Sequence, residues 1–324
     1  MGKIRYITAE EKGITRVRQG KKFVYYSMVG KLIKNPKILA RIKSLRIPPA
    51  YENVWICTSS QGHIQAYGYD AENRKQYIYH VHWTLQQAKK KFSHLVEFGE
   101  ALSKIRGQVN QHLKLQPLSK NHSLAGVIRF LEATCIRIGS PQYHSYGLLT
   151  LTKTHCKVSK DKITLDFMGK SKQKWHLEIK DKILYKILKR FNNEPGNKIF
   201  KYVDESKIRF LIASDVNNYL KEITEREITA KEFRTWLACS YFIGLALKNK
   251  KKTNDATLKT LIEKTASYIW NTPAVCKNSY LHPLLLKLFL KGELKPPRLK
   301  KAKLLSKDES YLIHLFKIEN QANQ

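Results

Sequence analysis

The strongest constraint on this chain is a change of hydrophobic period near His82. From Ile14 to Tyr79 the sequence is rich in β-branched and aromatic residues broken by Gly and polar turns, as in KKFVYYS, VWICTSS, GHIQAYG and QYIYH. That composition suits a pleated, half-buried surface and predicts short antiparallel strands, with one helix near Pro36 to Leu45. After Trp83 the apolar residues fall at helical spacing, and KKFSHLVEFGEALSKI predicts a long amphipathic helix leading away from the sheet. The sequence thus predicts an α+β protein in two parts: a small β-rich N-terminal domain, 1–82, and a larger, mainly α-helical domain, 83–324. A length of 324 residues exceeds the usual size of one compact core, which favours the same division.

Within the second part, Val127, Ile128, Leu131 and Cys135 repeat at helical spacing between Leu124 and Ile136, and Gly139 is the expected terminator, leaving Arg137 at a helix end. The run CKVSKDKITLDFMGKSKQKWHLEI alternates, with turn-like SKDK and GKSKQ, and predicts a three-stranded antiparallel piece near 155–179 with Lys170 at its second turn. DKILYKILKRF places Ile183, Leu184, Ile187, Leu188 and Phe191 on one helical face. Thr229 and Glu232 form a capping box that opens a helix through Leu247. A helix from Ala256 to Ile269 is followed by Thr272 and Pro273, the cap and first-turn proline of a short helix carrying Tyr280, which Pro283 is expected to end. The basic segment KGELKPPRLKKAKLL connects to a final amphipathic helix, SYLIHLFKI. No internal repeat is visible.

Sixty Lys and Arg residues stand against 26 Asp and Glu, and the formal charge of +34 calls for a polyanionic partner, nucleic acid first. A ribosomal component or a membrane-surface protein would share that charge, so the motifs must decide. Cys57, Cys135, Cys156, Cys239 and Cys276 are odd in number and form no CxxC pair, which argues against disulfides or zinc and suits a reducing cytoplasm. The N-terminus lacks the apolar core of a signal peptide, and Tyr6 stands where a myristoylation site needs Ser or Thr. The longest apolar stretch, around Leu237 to Leu247, is about half of the roughly 20 residues that span a bilayer, so no membrane segment is expected. No GxxxxGK[ST] loop is present, and no nucleotide or metal cofactor is expected.

Cutting a DNA strand without a metal requires a nucleophile, cations around a pentacoordinate phosphate, and an acid for the departing sugar oxygen. The sequence offers Arg137 in CIRIG, Lys170 in FMGKSK, Arg234 in KEFRTW and Tyr280 in NTPAVCKNSYLHP. This set, together with GITRVRQGKKFVYY, RIPPAYENVWIC, GHIQAYGYDAENRKQYIYH and GLLTL in the same order, resembles the bacterial and poxvirus-type type IB topoisomerases along nearly the whole chain. The resemblance implies a two-domain clamp on duplex DNA. It also implies a tyrosine nucleophile, Tyr280, that becomes joined to a 3′-phosphate while the free 5′-hydroxyl waits to reverse the step. Arg137 and Arg234 would each give paired hydrogen bonds to nonbridging oxygens, and Lys170, with Lys231 as a second candidate, would protonate the 5′ oxygen. An acidic residue follows this lysine in the poxvirus-type pattern, whereas Ser171 follows it here. Asn271 stands where the family places a histidine, nine positions before the tyrosine, and can donate a neutral hydrogen bond, with Trp270 beside it.

Arg74, Lys75, Gln76, Tyr77 and Tyr79 match the family's major-groove contact segment, and Tyr143 matches a phosphate-contacting position. Alternation puts Tyr77 and Tyr79 on one strand face, either core or DNA contact. The expected partner is duplex DNA, supercoiled by preference, bound by a monomer in the cytoplasm, at a bacterial nucleoid or as a virus-encoded protein. Three other readings compete. Tyrosine recombinases share the Arg, Lys, Arg, Tyr chemistry, but RKQYIYH and SYLHP resemble the topoisomerases instead. A catalytically weakened architectural DNA-binding protein would suit Asn271 and the charge. An RNA-binding housekeeping protein is disfavoured because no RRM or KH motif is present.

Overall fold

A computed structural model of the chain describes residues 4–8, 11–139, 146–159, 162–169, 174–250, 252–295 and 303–322. The chain divides into two compact units, Met1–Lys91 and Phe92–Gln324. The first is built on β1 (Ile14–Gln19), β2 (Lys22–Tyr26), α1 (Pro36–Ser44), β3 (Glu52–Ile56), β4 (Ile64–Tyr69) and β5 (Lys75–Tyr79). The strands form one antiparallel sheet in the order β2-β1-β3-β4-β5. Asn35 caps α1 by accepting from the Lys37 and Ile38 amides, and Pro36 supplies a pre-set first turn. Ile38, Ile42 and Leu45 of that helical segment pack with Ile14, Val54, Ile56, Ala66 and Ile78, so one sheet face is closed by α1. Period-2 alternation then sends Trp55, Tyr67, Tyr77 and Tyr79 to the opposite face, where Trp55 stacks on Tyr67 at 5.1 Å and Tyr77 on Tyr79 at 5.8 Å. Tyr77 and Tyr79 are 39% and 45% exposed, which settles their face as surface rather than core.

The second unit follows α2 (Val81–His112), whose first turns belong to the first unit. It contains α3 (Lys120–Thr134), β6 (Cys156–Val158), β7 (Ile163–Met168), β8 (Lys174–Ile179), α4 (Lys182–Asn193), β9 (Lys201–Asp204), β10 (Lys207–Phe210), α5 (Ala213–Thr224), α6 (Ala230–Lys248), α7 (Asp255–Tyr268), α8 (Pro273–Ser279), α9 (Pro283–Leu290) and α10 (Lys307–Ala322). Its centre is α6, whose Phe233, Trp236, Cys239, Phe242 and Ile243 are buried within one apolar core shared with the surrounding helices. The capping box forms as expected: Glu232 accepts from the Thr229 amide at 2.6 Å and from its hydroxyl at 2.8 Å. β6, β7 and β8 pair antiparallel in that order. No helix among the described residues is long and apolar enough to cross a membrane.

Several local expectations need correction. α3 stops at Thr134, because Cys135 takes a left-handed conformation with φ 55° and its amide bonds back to Leu131. Arg137 therefore sits beyond the helix, and Gly139 serves a different purpose, described below. Ile183 is 44% exposed while Leu184, Ile187, Leu188 and Phe191 are buried, so the apolar face of α4 is one residue narrower than its pattern. Pro283 does not end the tyrosine helix: α8 ends at Ser279, Tyr280 is its C-cap, and Pro283 is the first residue of α9. No expectation covers α5 or the β9–β10 hairpin, whose strands are four residues each and too short to show a clear alternation.

Candidate active site

Three corners of the second unit hold Arg137, Arg234, Asn271 and Tyr280. The first follows α3. The amides of Leu148 and Leu149 donate to the carbonyls of Arg137 and Ile138, both at 2.8 Å, which ties the Arg137 strand-like segment to the start of GLLTL. The pinch is possible because Gly139, at φ +82°, and Gly147 meet backbone to backbone; a Cβ on Gly147 would stand 2.4 Å from Gly139 Cα. Arg137 is thereby held half-buried at a fixed place, while Tyr143 lies outside the described residues.

The second corner joins α7 to α8. Trp270 adopts φ 54°, its amide donates to Ser267 O at 3.1 Å, and the Asn271 amide donates to Ala266 O at 2.8 Å. Those two bonds make a Schellman motif with tryptophan in the position usually held by Gly. Asn271 then starts the next segment, its Oδ1 accepting from the Thr272 amide at 3.1 Å. Its Nδ2 is buried and has no hydrogen-bond partner among the described residues.

Arg234, on α6, is 4% exposed. Its Nη2 donates to Ile269 O at 2.7 Å, one residue before Trp270, so the helix corner and the arginine fix each other. Nε and Nη1 of Arg234 are buried and have no hydrogen-bond partner among the described residues. The guanidinium carbon stands 5.3 Å from the centre of the Tyr280 ring. Of the six buried side-chain nitrogen and oxygen atoms that lack a partner among the described residues, three belong to Arg234 and Asn271. Burial without a partner costs about 1–3 kcal/mol for each such group, so a concentration of donors in one place needs an acceptor from elsewhere.

Tyr280 forms the third corner. Thr272 caps α8 by accepting from Val275, and the Tyr280 amide closes the last turn onto Cys276 O at 3.0 Å. Cys239 Sγ donates to the Tyr280 carbonyl at 3.2 Å, anchoring the tyrosine backbone on α6. Burial raises the pKa of the Tyr280 hydroxyl, but the charges of Arg234 and then Arg137, with their hydrogen-bonding reach, lower it further, and the net position is below the ordinary tyrosine value. Burial lowers the pKa of Arg234, and the nearby Tyr280 opposes that while Arg137 adds to it.

Two residues beyond, His282 caps α9 through Nδ1, which accepts from the Leu284 amide at 3.1 Å, and faces Glu319 with Nε2 at 3.3 Å. It lies between Phe92 and Phe316, each 4.5 Å away, and burial pushes its pKa down to about 4. A neutral Nε2–H ring satisfies both contacts, so the segment after Tyr280 is clamped from α10 without a buried charge. Sequence reading missed His282 and Cys239 because their roles depend on which elements meet, not on local pattern.

Lys231 is exposed one turn before Arg234 on the same side of α6. Lys170 lies outside the described residues, between Gly169 and Lys174. In the first unit, Arg74 bridges Asp70 and Glu72, each at 2.8 Å, and Gln76 Nε2 donates to Asp70 at 2.9 Å. The Arg74 side chain first, and its amide second, bring the Asp70 carboxyl down to about 2. Lys75 Nζ sits 3.8 Å over the Tyr67 ring.

Residues 73–278 match the family described as eukaryotic DNA topoisomerase I, catalytic core, and residues 22–70 match bacterial DNA topoisomerase IB, N-terminal domain. The chain is 32% identical over 294 residues to DNA topoisomerase 1B of Acanthamoeba polyphaga mimivirus, an alignment covering 86% of this chain and 88% of the relative. It is 24% identical over 233 residues to DNA topoisomerase 1B of vaccinia virus (strain Copenhagen), covering 68% and 71%. The rabbit fibroma virus DNA topoisomerase 1 is likewise 24% identical, covering 66% and 68%. With the core match spanning well over half its length, the chain belongs to the type IB DNA topoisomerase family.

Proposed function

We propose that this chain relaxes supercoiled duplex DNA of both signs by nicking one strand, letting the duplex rotate, and resealing it, acting as a monomer without ATP or metal. The observation that carries this reading is the group of buried, unpartnered donors on Arg234 and Asn271 beside a tyrosine whose pKa is lowered. Donors fixed in a dry site stabilise charge as it develops, since they need no reorganisation during the reaction.

Tyr280 Oη attacks phosphorus, its proton passing to solvent, and the bond from phosphorus to the 5′ oxygen breaks. Arg137, Arg234 and Asn271 hold the nonbridging oxygens, and Lys170, assisted by Lys231, delivers a proton to the 5′ oxygen. Reversal by the 5′-hydroxyl reseals the strand with the bond energy conserved. The first unit binds duplex through Arg74, Lys75, Gln76, Tyr77 and Tyr79, Tyr143 adds a phosphate contact, and the two units close as a clamp. Side-chain cations supply the charge that other enzymes draw from a metal. The place of action is wherever its DNA lies, the nucleoid of a bacterium or a cell infected by a DNA virus.

Plasmid relaxation in EDTA without nucleotide tests the reading: both supercoil signs are expected to relax, and Tyr280→Phe is expected to bind DNA normally while forming no covalent adduct. Dependence on magnesium or ATP, or relaxation by Tyr280→Phe, would sink it. An architectural binder would bind and never cleave.

A further inference from the structure

Residues 4–8 pair with the segment that leads into β4. The Arg5 amide donates to Gln61 O and the His63 amide to Arg5 O, both at 2.9 Å, and the Ile7 amide donates to His63 Nδ1 at 2.9 Å. Ile7 is buried with Trp55, Cys57 and Ile64, so extended alternation turns its neighbour Tyr6 outward. The backbone is thus fixed on both sides of Tyr6 while its side chain stays 71% exposed, more than Tyr77 or Tyr79.

The Tyr6 ring is held as well as its backbone. It stacks on the His63 ring at 4.1 Å and 12°, and Trp83, in the first turn of α2, lies edge-on to Tyr6 at 6.1 Å and to His63 at 4.8 Å. Burial lowers the His63 pKa and its Nδ1 accepts from Ile7, so Tyr6 is backed by a neutral ring. One face of Tyr6 is covered in this way, and its high exposure leaves the other face to solvent. His63 also stands 6.5 Å from Tyr79, which stacks on Tyr77, so Tyr6 continues the exposed tyrosine row of β5.

Charge decides what such a ring meets. Residues 1–91 carry 18 Lys and Arg against five Asp and Glu, which favours a polyanion over an apolar protein surface. DNA offers both a negative backbone for the cations and flat bases for the ring. Within a paired duplex each base is already stacked between its neighbours, and stacking on one ring gains no more than opening a pair costs. The ring therefore suits a base that has already lost its partner.

We propose that Tyr6, backed by His63 and flanked by Trp83, is a stacking shelf for an unpaired base of the bound DNA, which gives the first unit a preference for bulged, gapped or melted sites. The inference rests on the reading of the first unit as DNA-binding and adds the base that it takes.

The test is equilibrium binding by the full chain carrying Tyr280→Phe, so that no covalent complex forms. The probes are duplexes with a single bulged 2-aminopurine at successive positions, and their fully paired counterpart. At one position or more the bulged duplex should bind roughly tenfold more tightly than the paired one, with the 2-aminopurine emission quenched by stacking. Adding Tyr6→Ala, or Tyr6→Leu, which keeps apolar cover over His63, should abolish both the preference and the quenching while paired affinity stays within about twofold. Tyr6→Phe should keep both, since the ring and not the hydroxyl does the stacking. No preferred position, or a preference that survives in Tyr6→Ala and Tyr6→Leu, overturns the proposal. So does Tyr6→Phe failing as Tyr6→Ala does, which would make the hydroxyl a phosphate contact, or both truncations weakening paired and bulged duplexes alike. Failure to bind the paired duplex at all would remove the DNA-binding reading itself, whereas paired binding without a bulge preference removes only the shelf.

Discussion

Arg74 on the N-terminal sheet is exposed and already engaged by Asp70 and Glu72, whereas Arg234 on α6 is buried with Nε and Nη1 unpartnered among the described residues. The glutamine and asparagine of the two regions repeat the contrast: Gln76 donates to Asp70, while Asn271 Nδ2 donates to nothing described. An exposed ion pair contributes little and exchanges easily, so on the proposed function the sheet would swap carboxylates for phosphates at small cost. A buried donor without a partner lowers folding stability, and it persists where a ligand's charge later satisfies it. On the proposed function, the two units would meet a phosphate in two ways. One would rearrange ion pairs at a surface, and the other would keep fixed donors waiting.

The largest effect is expected where the waiting donors are most concentrated. Arg234→Ala should slow single-turnover cleavage by about 10² to 10³, the scale of losing a fixed oxyanion donor. Its folding stability should change little, because the substitution removes idle buried donors along with one good bond to Ile269. The pH profile adds a sign. Burial raises the Tyr280 pKa and Arg234 is the leading influence that lowers it, so without Arg234 the alkaline rise of the cleavage rate should move to higher pH. A variant that cleaves at the parental rate, or whose profile moves toward acid, would erase the contrast between the two regions.

The contrast was only partly legible in the sequence. Capping residues speak locally, so the α6 start at Thr229 and the Thr272-Pro273 start of α8 could be read directly. Helix ends were harder: Cys135 and Trp270 take left-handed conformations that glycine or asparagine would have advertised. The apolar pattern near Ile183 overstated burial, since the face of a helix depends on what packs there. Motif resemblance pointed to Arg137, Arg234, Asn271 and Tyr280 as candidates, but no residue pattern could reveal that Arg234 holds Ile269 O, that Cys239 anchors the tyrosine backbone, or that Asp70 occupies Arg74 and Gln76. These facts arise from contacts between elements distant in sequence.

A middle-sized effect belongs to Asn271. If Nδ2 meets a nonbridging oxygen, Asn271→Ala should slow cleavage roughly tenfold, the rate equivalent of about 1.4 kcal/mol for one neutral hydrogen bond. Asn271→His restores a charged donor and should match or exceed the parent. Equal rates for Asn271→Ala and parent in single-turnover cleavage would reduce Asn271 to a helix-preceding residue, leaving Arg234 as the one described residue with idle donors beside the tyrosine.

The smallest effect is expected at Asp70, where the binding surface can be perturbed without disturbing its turn. Asp70 Oδ1 accepts from the amides of Glu72 and Arg74, while Oδ2 engages the Arg74 and Gln76 side chains. Asp70→Asn keeps an oxygen for the two amides but removes the charge that competes with phosphate for Arg74. The carboxyl sits at about 2, so it is ionised throughout the neutral range and its competition does not vary with pH there. Release of Arg74 should tighten duplex binding by roughly two- to fivefold at low salt. It should also steepen the slope of log affinity against log salt by up to about 0.9, the value for one more neutralised phosphate. Cleavage by the bound complex should be unchanged, since no side chain of the unit that carries Tyr280 has been altered. Weaker binding with an unchanged slope would mean that Asp70 presents Arg74 and Gln76 to DNA in a fixed pose. The sheet would then be preorganised as the corner around Tyr280 is, and the difference between the two regions would be one of burial alone.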